Sequence, residues 1–288
     1  MGDERESRLR LVGEFKDRLE VVRTRIEQAA RRAGRDPGTV TLVAVSKTVA
    51  VGRLQEAVAC GCRVFGESRI QEALAKIGVL RASEAPATPG RARGTGASET
   101  IPMGVRAPAG IEWHLIGPIQ SNKARSVVGR FSLLHAVDRL EVAERLDRVA
   151  RERGTSQPVL LEVNVTGETT KHGFKPDDLA RAAERMGALS GLRLLGLMTI
   201  PPQAADPEEA RPHFRRLCQL AATVEALKIP GVTMKELSMG MSGDFEVAVE
   251  EGATMVRIGA ALFGPRSMGT DLKSVPESQS GCKDHLRQ

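Results

Sequence analysis

Lys47 closes the run Leu42-Val-Ala-Val-Ser46, an apolar, β-branched stretch that reads as a strand covered on both faces, and Thr48 follows at once. A lysine in apolar surroundings can lose its proton and attack an aldehyde; a lysine at a strand end can equally snorkel to water. Far along the chain, Gly240-Met241-Ser242-Gly243-Asp244 leads straight into a helical pattern, and Arg257-Ile258-Gly259-Ala260 forms a second glycine turn. Free N–H groups at a helix start, with a serine hydroxyl between glycines, suit a phosphate, although one such turn alone is as well explained by an ordinary cap. Two of them at successive strand ends favour the phosphate. Arg257 lies two residues before Gly259 and shares its parity, so it faces the same side, either toward a ligand or in an internal ion pair.

These residues need a scaffold that gathers strand ends. Apolar positions at helical spacing predict a helix over 3–33, stopped by Gly34 and Pro37. The Lys47 strand is followed by a helix over 51–60, a short strand over 63–65 running into Gly66, Glu67 and Ser68, and a helix over 69–80. Further strands are expected over 111–116, 133–137, 158–165 with Asn164 near its end, 192–199 with Met198 near its end, 236–239 with Ser238 inside it, and 254–258. Helices are expected between them: through Val128 with Ser121 as a cap, over 140–151, from Pro176 over 179–189, over 208–227 with a bend or a restart at Pro212, and over 245–251. Eight strands alternating with helices predict an α/β fold, a single (β/α)8 TIM barrel over 1–266, whose site lies where the strands end. Lys47, Ser68, His114, Asn164, Lys171, Met198, Ser238, Ser242 and Arg257 are the chemistry-bearing residues read there.

Residues 81–110 are Ala, Pro, Gly, Arg, Ser and Thr with almost nothing to bury and read as a disordered insertion; 267–288 has no apolar period and reads as a disordered tail. No run approaches the roughly 20 apolar residues of a membrane span, and residues 1–10 carry both charges without the apolar centre of a secretory signal, so a cytoplasmic location is expected. Cys60, Cys62, Cys218 and Cys282 have neither disulfide-framework nor zinc spacing. The net charge of +6 comes with no tyrosine and one tryptophan, which argues against nucleic acid as partner.

An amine on the first strand and a phosphate cradle across the seventh and eighth suggest one cofactor that needs both, pyridoxal 5'-phosphate (PLP). The motifs VAVSKT, VFGESRIQEA, IEWHLIGPIQSNKAR, LLHAVD, VLLEVNVTGETTKHGF, GLMTIP, LSMGMSGD and MVRIGAALFGPR, in that order, resemble those of the pyridoxal phosphate homeostasis protein family. Its members are barrels similar to the N-terminal domain of alanine racemase. The resemblance covers about residues 5–266 apart from the insertion. It implies that Lys47 holds the cofactor as an internal aldimine, that Ser242 with Gly259 and Ala260 holds the phosphate, and that Arg257 donates to the pyridine nitrogen. Ser68, Asn164, Met198, Ser238, Met241 and Gly243 complete the implied cofactor-binding set. Ser68 and Arg69 stand where the family commonly has Asn and Tyr, which removes reach near the ring, and Gly243 replaces a common acidic residue.

An arginine only donates and stays charged, so a ring nitrogen facing it stays unprotonated and a delocalised carbanion is disfavoured. Racemases with this arrangement compensate with a tyrosine from a second domain, and this chain has neither tyrosine nor a second core. The expectation is a PLP carrier with little or no turnover, buffering the cofactor or passing it to apo PLP-dependent enzymes. The alternative is a weak PLP-dependent racemase or lyase, for which Lys171 and His172 are the acid/base candidates. A closed barrel leaves no strand edge to pair, so a monomer is expected.

Overall fold

Eight parallel strands close into a barrel in strict sequence order, β1 to β8, with β8 hydrogen-bonded back to β1. The computed structural model describes residues 2–82, 110–168 and 172–265, so most of the expected insertion, the expected tail and Lys171 lie outside the described residues. The strands are β1 (Thr41–Val45), β2 (Val64–Glu67), β3 (Glu112–Leu115), β4 (Leu133–Val137), β5 (Gln157–Glu162), β6 (Leu192–Met198), β7 (Val232–Ser238) and β8 (Met255–Ile258). The helices are α1 (Gly2–Arg32), α2 (Val51–Ala59), α3 (Ile70–Ala82), α4 (Ala124–Val127), α5 (Leu140–Glu152), α6 (Leu179–Gly187), α7 (Arg211–Ala226), α8 (Phe245–Glu250) and α9 (Ala260–Phe263).

Two-residue alternation splits the side chains into two cores. Val43, Leu133, Ala136, Leu160, Met198 and Met255 fill the inside of the barrel, while Ala44, Phe65, Trp113, Leu134, Leu161, Leu197, Val256 and Ile258 pack outward against the helices. The outer layer depends on helical faces such as that of α5, where Val142, Ala143, Leu146, Val149 and Ala150 recur at three- and four-residue intervals and are all buried. α1 packs along α2, α8 and α9, with Phe15 against Phe263 at 5.2 Å between ring centroids.

Register shifts occur in β4–β5, β5–β6 and β6–β7. At the last, Gly196 is obligatory: a Cβ there would stand 1.8 Å from the Glu236 carbonyl oxygen. Several expected boundaries move. β7 starts four residues before the expected Glu236, because Val232, Thr233 and Met234 are only half-buried and lack a clean alternation to read. β5 ends at Glu162, so Asn164 lies beyond the strand; Val163 forms an isolated bridge to Phe174. Ser121 opens a 3-10 turn without capping it through its side chain, and α7 restarts at Arg211 after a 3-10 turn over Pro207–Ala210, as Pro212 required.

Candidate functional site

Lys47 sits two residues beyond the end of β1 and is half-buried. Val43 and Val45 face the barrel interior, so parity carries Lys47 to the same side at the mouth. Its backbone is clamped on both sides. Lys76 Nζ donates to the Ser46 carbonyl at 2.7 Å, and Thr48 N–H donates to Glu72 Oε1 at 2.6 Å, with Lys76 bonded to Glu72 and to the fully buried Glu67. Ser46 Oγ donates to the same Glu67 oxygen at 2.7 Å. Burial raises the Glu67 carboxyl above its ordinary value against the pull of Lys76 and Ser46. At Glu72 burial acts the same way but is outweighed by Lys76 and the Thr48 N–H, leaving that carboxyl below its usual range. Thr48 is held at φ 64°, a conformation uncommon outside glycine, and the clamp is what maintains it.

β8 pairs with β1 so that Arg257 lies level with Val43. Arg257 is 4 % exposed, and burial lowers its pKa to about 10 against the opposing charges of Glu162 and Asp244. Its Nη1 donates to Ser238 Oγ at 2.6 Å and its Nη2 to the Thr199 carbonyl at 2.9 Å. The internal ion pair considered from sequence is therefore replaced by two neutral acceptors, with carboxylates acting at longer range.

The loop after β7 is folded on itself: Met241 N–H donates to Asp244 Oδ1 at 2.6 Å, and Gly240 takes φ 90° where a Cβ would collide with Ala248. That turn presents Ser242 to the start of α9, where Ala261 N–H donates to Ser242 Oγ at 3.3 Å. Gly259 meets only Val45 on its Cβ side, at 3.4 Å, and Gly243 is exposed with nothing within 4 Å, so the two glycine turns frame an open cradle. Serine hydroxyl, small residues and first-turn N–H groups fit a phosphate, and Lys47 on the neighbouring strand fits the aldehyde end of the same molecule.

The remaining expected residues are less uniform. Met198 is fully buried in the barrel interior just below the mouth, and Ser68 is half-buried after β2, so close to the next loop that a Cβ on Gly117 would be 2.5 Å from its carbonyl oxygen. Asn164 spends its amide on its own loop, Oδ1 accepting from Gly167 N–H and Thr166 Oγ1, and Nδ2 donating to the Glu168 carbonyl. His114 is not at the mouth; it lies inside the barrel toward the opposite end. Glu162 and Asp138 were not singled out from sequence. Burial, then Asp138, raises the Glu162 carboxyl while Arg257 and His172 oppose, and Asp138 pairs with Arg139 at 2.9 Å and His172 at 3.6 Å. The signal for Glu162 was present: it shares the parity of Leu160, which faces inward.

The alanine racemase N-terminal domain family matches residues 18–267. The pyridoxal phosphate homeostasis protein of Aquifex aeolicus is 40% identical over 250 residues, covering 87% of this chain and 97% of its own. That of Escherichia coli K12 is 38% identical over 248 residues, 86% and 95% of the two chains. This chain belongs to the pyridoxal phosphate homeostasis protein family. Among solved structures, PipY of Synechococcus elongatus with PLP bound is similar at a TM-score of 0.69 and 34% identity, over 87% of this chain and all of the other. Alanine racemase of Clostridium difficile aligns over 88% of this chain and 57% of its own at a TM-score of 0.62, and at 14% identity it shares the fold. The expected barrel, of the alanine racemase N-terminal type, is the observed one.

Proposed function

We propose that this chain binds PLP reversibly at the barrel mouth and keeps it available in the cytoplasm for apo PLP-dependent enzymes, with little or no turnover of its own. The observation that carries the proposal is the placement of Lys47 and the Ser242–Gly259 cradle on adjacent strand ends of one closed barrel, with Arg257 between them on the interior face. The relatives named for PLP homeostasis and the PLP-bound PipY structure support it.

When bound, the cofactor supplies an aldehyde for an amine and an electron-accepting ring. Lys47 offers the amine, on a backbone fixed by Lys76 and Glu72. Ser242 with the N–H groups opening α9 holds the phosphate, and Arg257 donates to the ring nitrogen; Ser68, Asn164, Met198, Ser238, Met241, Gly243 and Ala260 line or support the pocket. Arg257 cannot take up a proton from the ring and carries its own positive charge, so the ring is a poor electron sink. With no tyrosine in the sequence, release of intact cofactor is favoured over reaction. The closed barrel is proposed to act as a monomer.

The test is transfer: protein loaded with PLP is mixed with an apo PLP-dependent enzyme in the presence of a trap for free cofactor. Activation that outruns the measured dissociation rate supports handover, and activation limited by dissociation leaves buffering alone. A weakly active racemase or lyase is favoured by one specific observation, the half-buried Glu162 carboxyl on the Arg257 side of the mouth, whose pKa is raised by burial and by Asp138. Exchange of the Cα proton of an amino acid for deuterium, lost in Glu162→Gln and in Lys47→Ala, would establish that reading.

A further inference from the structure

A single file of polar side chains runs through the barrel interior from the Arg257 side to the opposite opening. Arg257 Nη1 donates to Ser238 Oγ at 2.6 Å; Ser238 Oγ is 2.8 Å from His135 Nδ1; His135 Nε2 is 3.0 Å from His114 Nδ1; and His114 Nε2 is 3.5 Å from a carboxylate oxygen of Glu112. Ser238 and His135 are fully buried and His114 is 3 % exposed. Glu112 opens on a cavity of about 300 Å³ at the lower end of the barrel, lined also by His114, Thr41, Ser132 and Glu236, opposite the mouth that holds Lys47.

The two ends of the file are chemically fixed. An arginine can only donate and a carboxylate can only accept. With both histidines neutral, one assignment satisfies every contact: the Ser238 hydroxyl donates to His135 Nδ1, His135 Nε2–H donates to His114 Nδ1, and His114 Nε2–H points to Glu112. If His135 carried its proton on Nδ1 instead, its bare Nε2 would face the bare Nδ1 of a neutral His114 at 3.0 Å, or would need His114 doubly protonated against Glu112, and in either case Ser238 Oγ would accept from both Arg257 and His135 with no partner in the file for its own proton. A uniformly directed chain also polarises itself, so each donor strengthens the next acceptor.

We propose that His135 is a positioning residue for Arg257: locked as the neutral Nε2–H tautomer, it commits the Ser238 proton downward, makes the serine oxygen a fixed acceptor for the guanidinium, and ties the cofactor end of the barrel to the carboxylate at its lower opening. Burial above all, with the Arg257 guanidinium adding to it, holds the His135 imidazole well below its ordinary pKa, which keeps it neutral. The charged groups around the file are Glu112 and Glu236 at the lower opening and Glu162 and Asp244 on the Arg257 side. Thr199, whose carbonyl takes Nη2, fixes the second guanidinium arm, so the remaining N–H donors are left for the mouth. The part concerning the cofactor rests on the binding function proposed above; the tautomer lock does not.

Two measurements test it. In ¹⁵N-histidine-labelled protein without cofactor, long-range ¹H–¹⁵N correlations at pH 7.5 and pH 5.5 should show His135 neutral with a bare Nδ1 at both, and Ser238→Ala should shift that Nδ1 signal as its donor is lost. An imidazolium or an Nδ1–H form of His135 at either pH overturns the lock. In the second, PLP affinity is compared for His135→Asn, whose Oδ1 takes the place of Nδ1, and His135→Leu, which offers no acceptor. Loss of one oriented donor predicts about a tenfold weaker Kd for the leucine variant, with the asparagine variant recovering most of it. Equal affinities for leucine variant and wild type, or equal losses in both variants, overturn the positioning role; a wild type that binds no PLP overturns the proposed function and leaves the first measurement standing.

Discussion

Lys76 Nζ lies 2.7 Å from the carbonyl oxygen of Ser46, the residue immediately before Lys47. The same ammonium neutralises Glu67 and Glu72, so the lysine proposed to react is held in place by a second, structural lysine one helix away.

Removing that second lysine is predicted to be costly. Lys76→Met leaves the buried Glu67 carboxylate without its cation, and breaking a buried pair from one side typically costs about 3–5 kcal/mol. The double variant Lys76→Met/Glu67→Leu should recover at least half of that loss in urea unfolding, because no charge is then left buried. Full additivity of the two single losses would contradict a direct coupling.

Gly240→Ala should be damaging to both fold and cradle. The residue combines φ 90° with an approach of 2.5 Å to the Ala248 methyl, so strain and overlap add, each worth about 1–3 kcal/mol. Because the turn presents Ser242, inorganic phosphate and PLP should both bind more weakly to whatever fraction remains folded. Gly243→Ala, with open space around its Cβ, should leave stability within about 0.5 kcal/mol of wild type.

Acid should destabilise the chain through His135. Its folded-state pKa lies well below the 6.5 of a free histidine, so between those two values the unfolded chain binds a proton that the folded chain refuses. Stability therefore rises with pH across that window and falls as pH drops below about 6.5, by at most about 1.4 kcal/mol per pH unit for one group. Unfolding free energies at pH 7.5, 6.5 and 5.5 check this, and the slope should shrink in His135→Asn.

Trp113, fully buried and stacked on Phe65 at 5.4 Å, is the one tryptophan of the chain. Its emission should be that of an apolar environment and shift red in a single step with far-ultraviolet circular dichroism on unfolding. Because it faces the helical layer and not the mouth, PLP binding should leave its position in the spectrum unchanged.

The order of elements was readable from sequence because strands buried on both faces, such as Leu42–Val45 and Leu133–Val137, carry unbroken apolar runs, and amphipathic helices such as α5 carry a clean stripe. β7 was readable only at its C-terminal half, since its lower residues are partly exposed and mix Thr, Met, Lys and Glu. Lys47 and the Ser242–Gly259 turns were legible because each combines a reactive or permissive residue with a strand end. The clamp of Lys76, Glu67 and Glu72 was not, because it joins β2 to α3 through side chains whose sequence spacing looks like any solvated helix face. The His114–His135 contact joins the neighbouring strands β3 and β4 inside the barrel, and inward parity alone does not announce a partner 21 residues away.

The most direct measurement is borohydride reduction of the protein after incubation with PLP, followed by mass mapping, on wild type and on Lys47→Ala. A yellow wild-type protein whose reduced phosphopyridoxyl mass falls on the peptide carrying Lys47, with no such mass in the variant, is the predicted result. A wild type that stays colourless with excess PLP, or an adduct on another lysine that persists in Lys47→Ala, would contradict it.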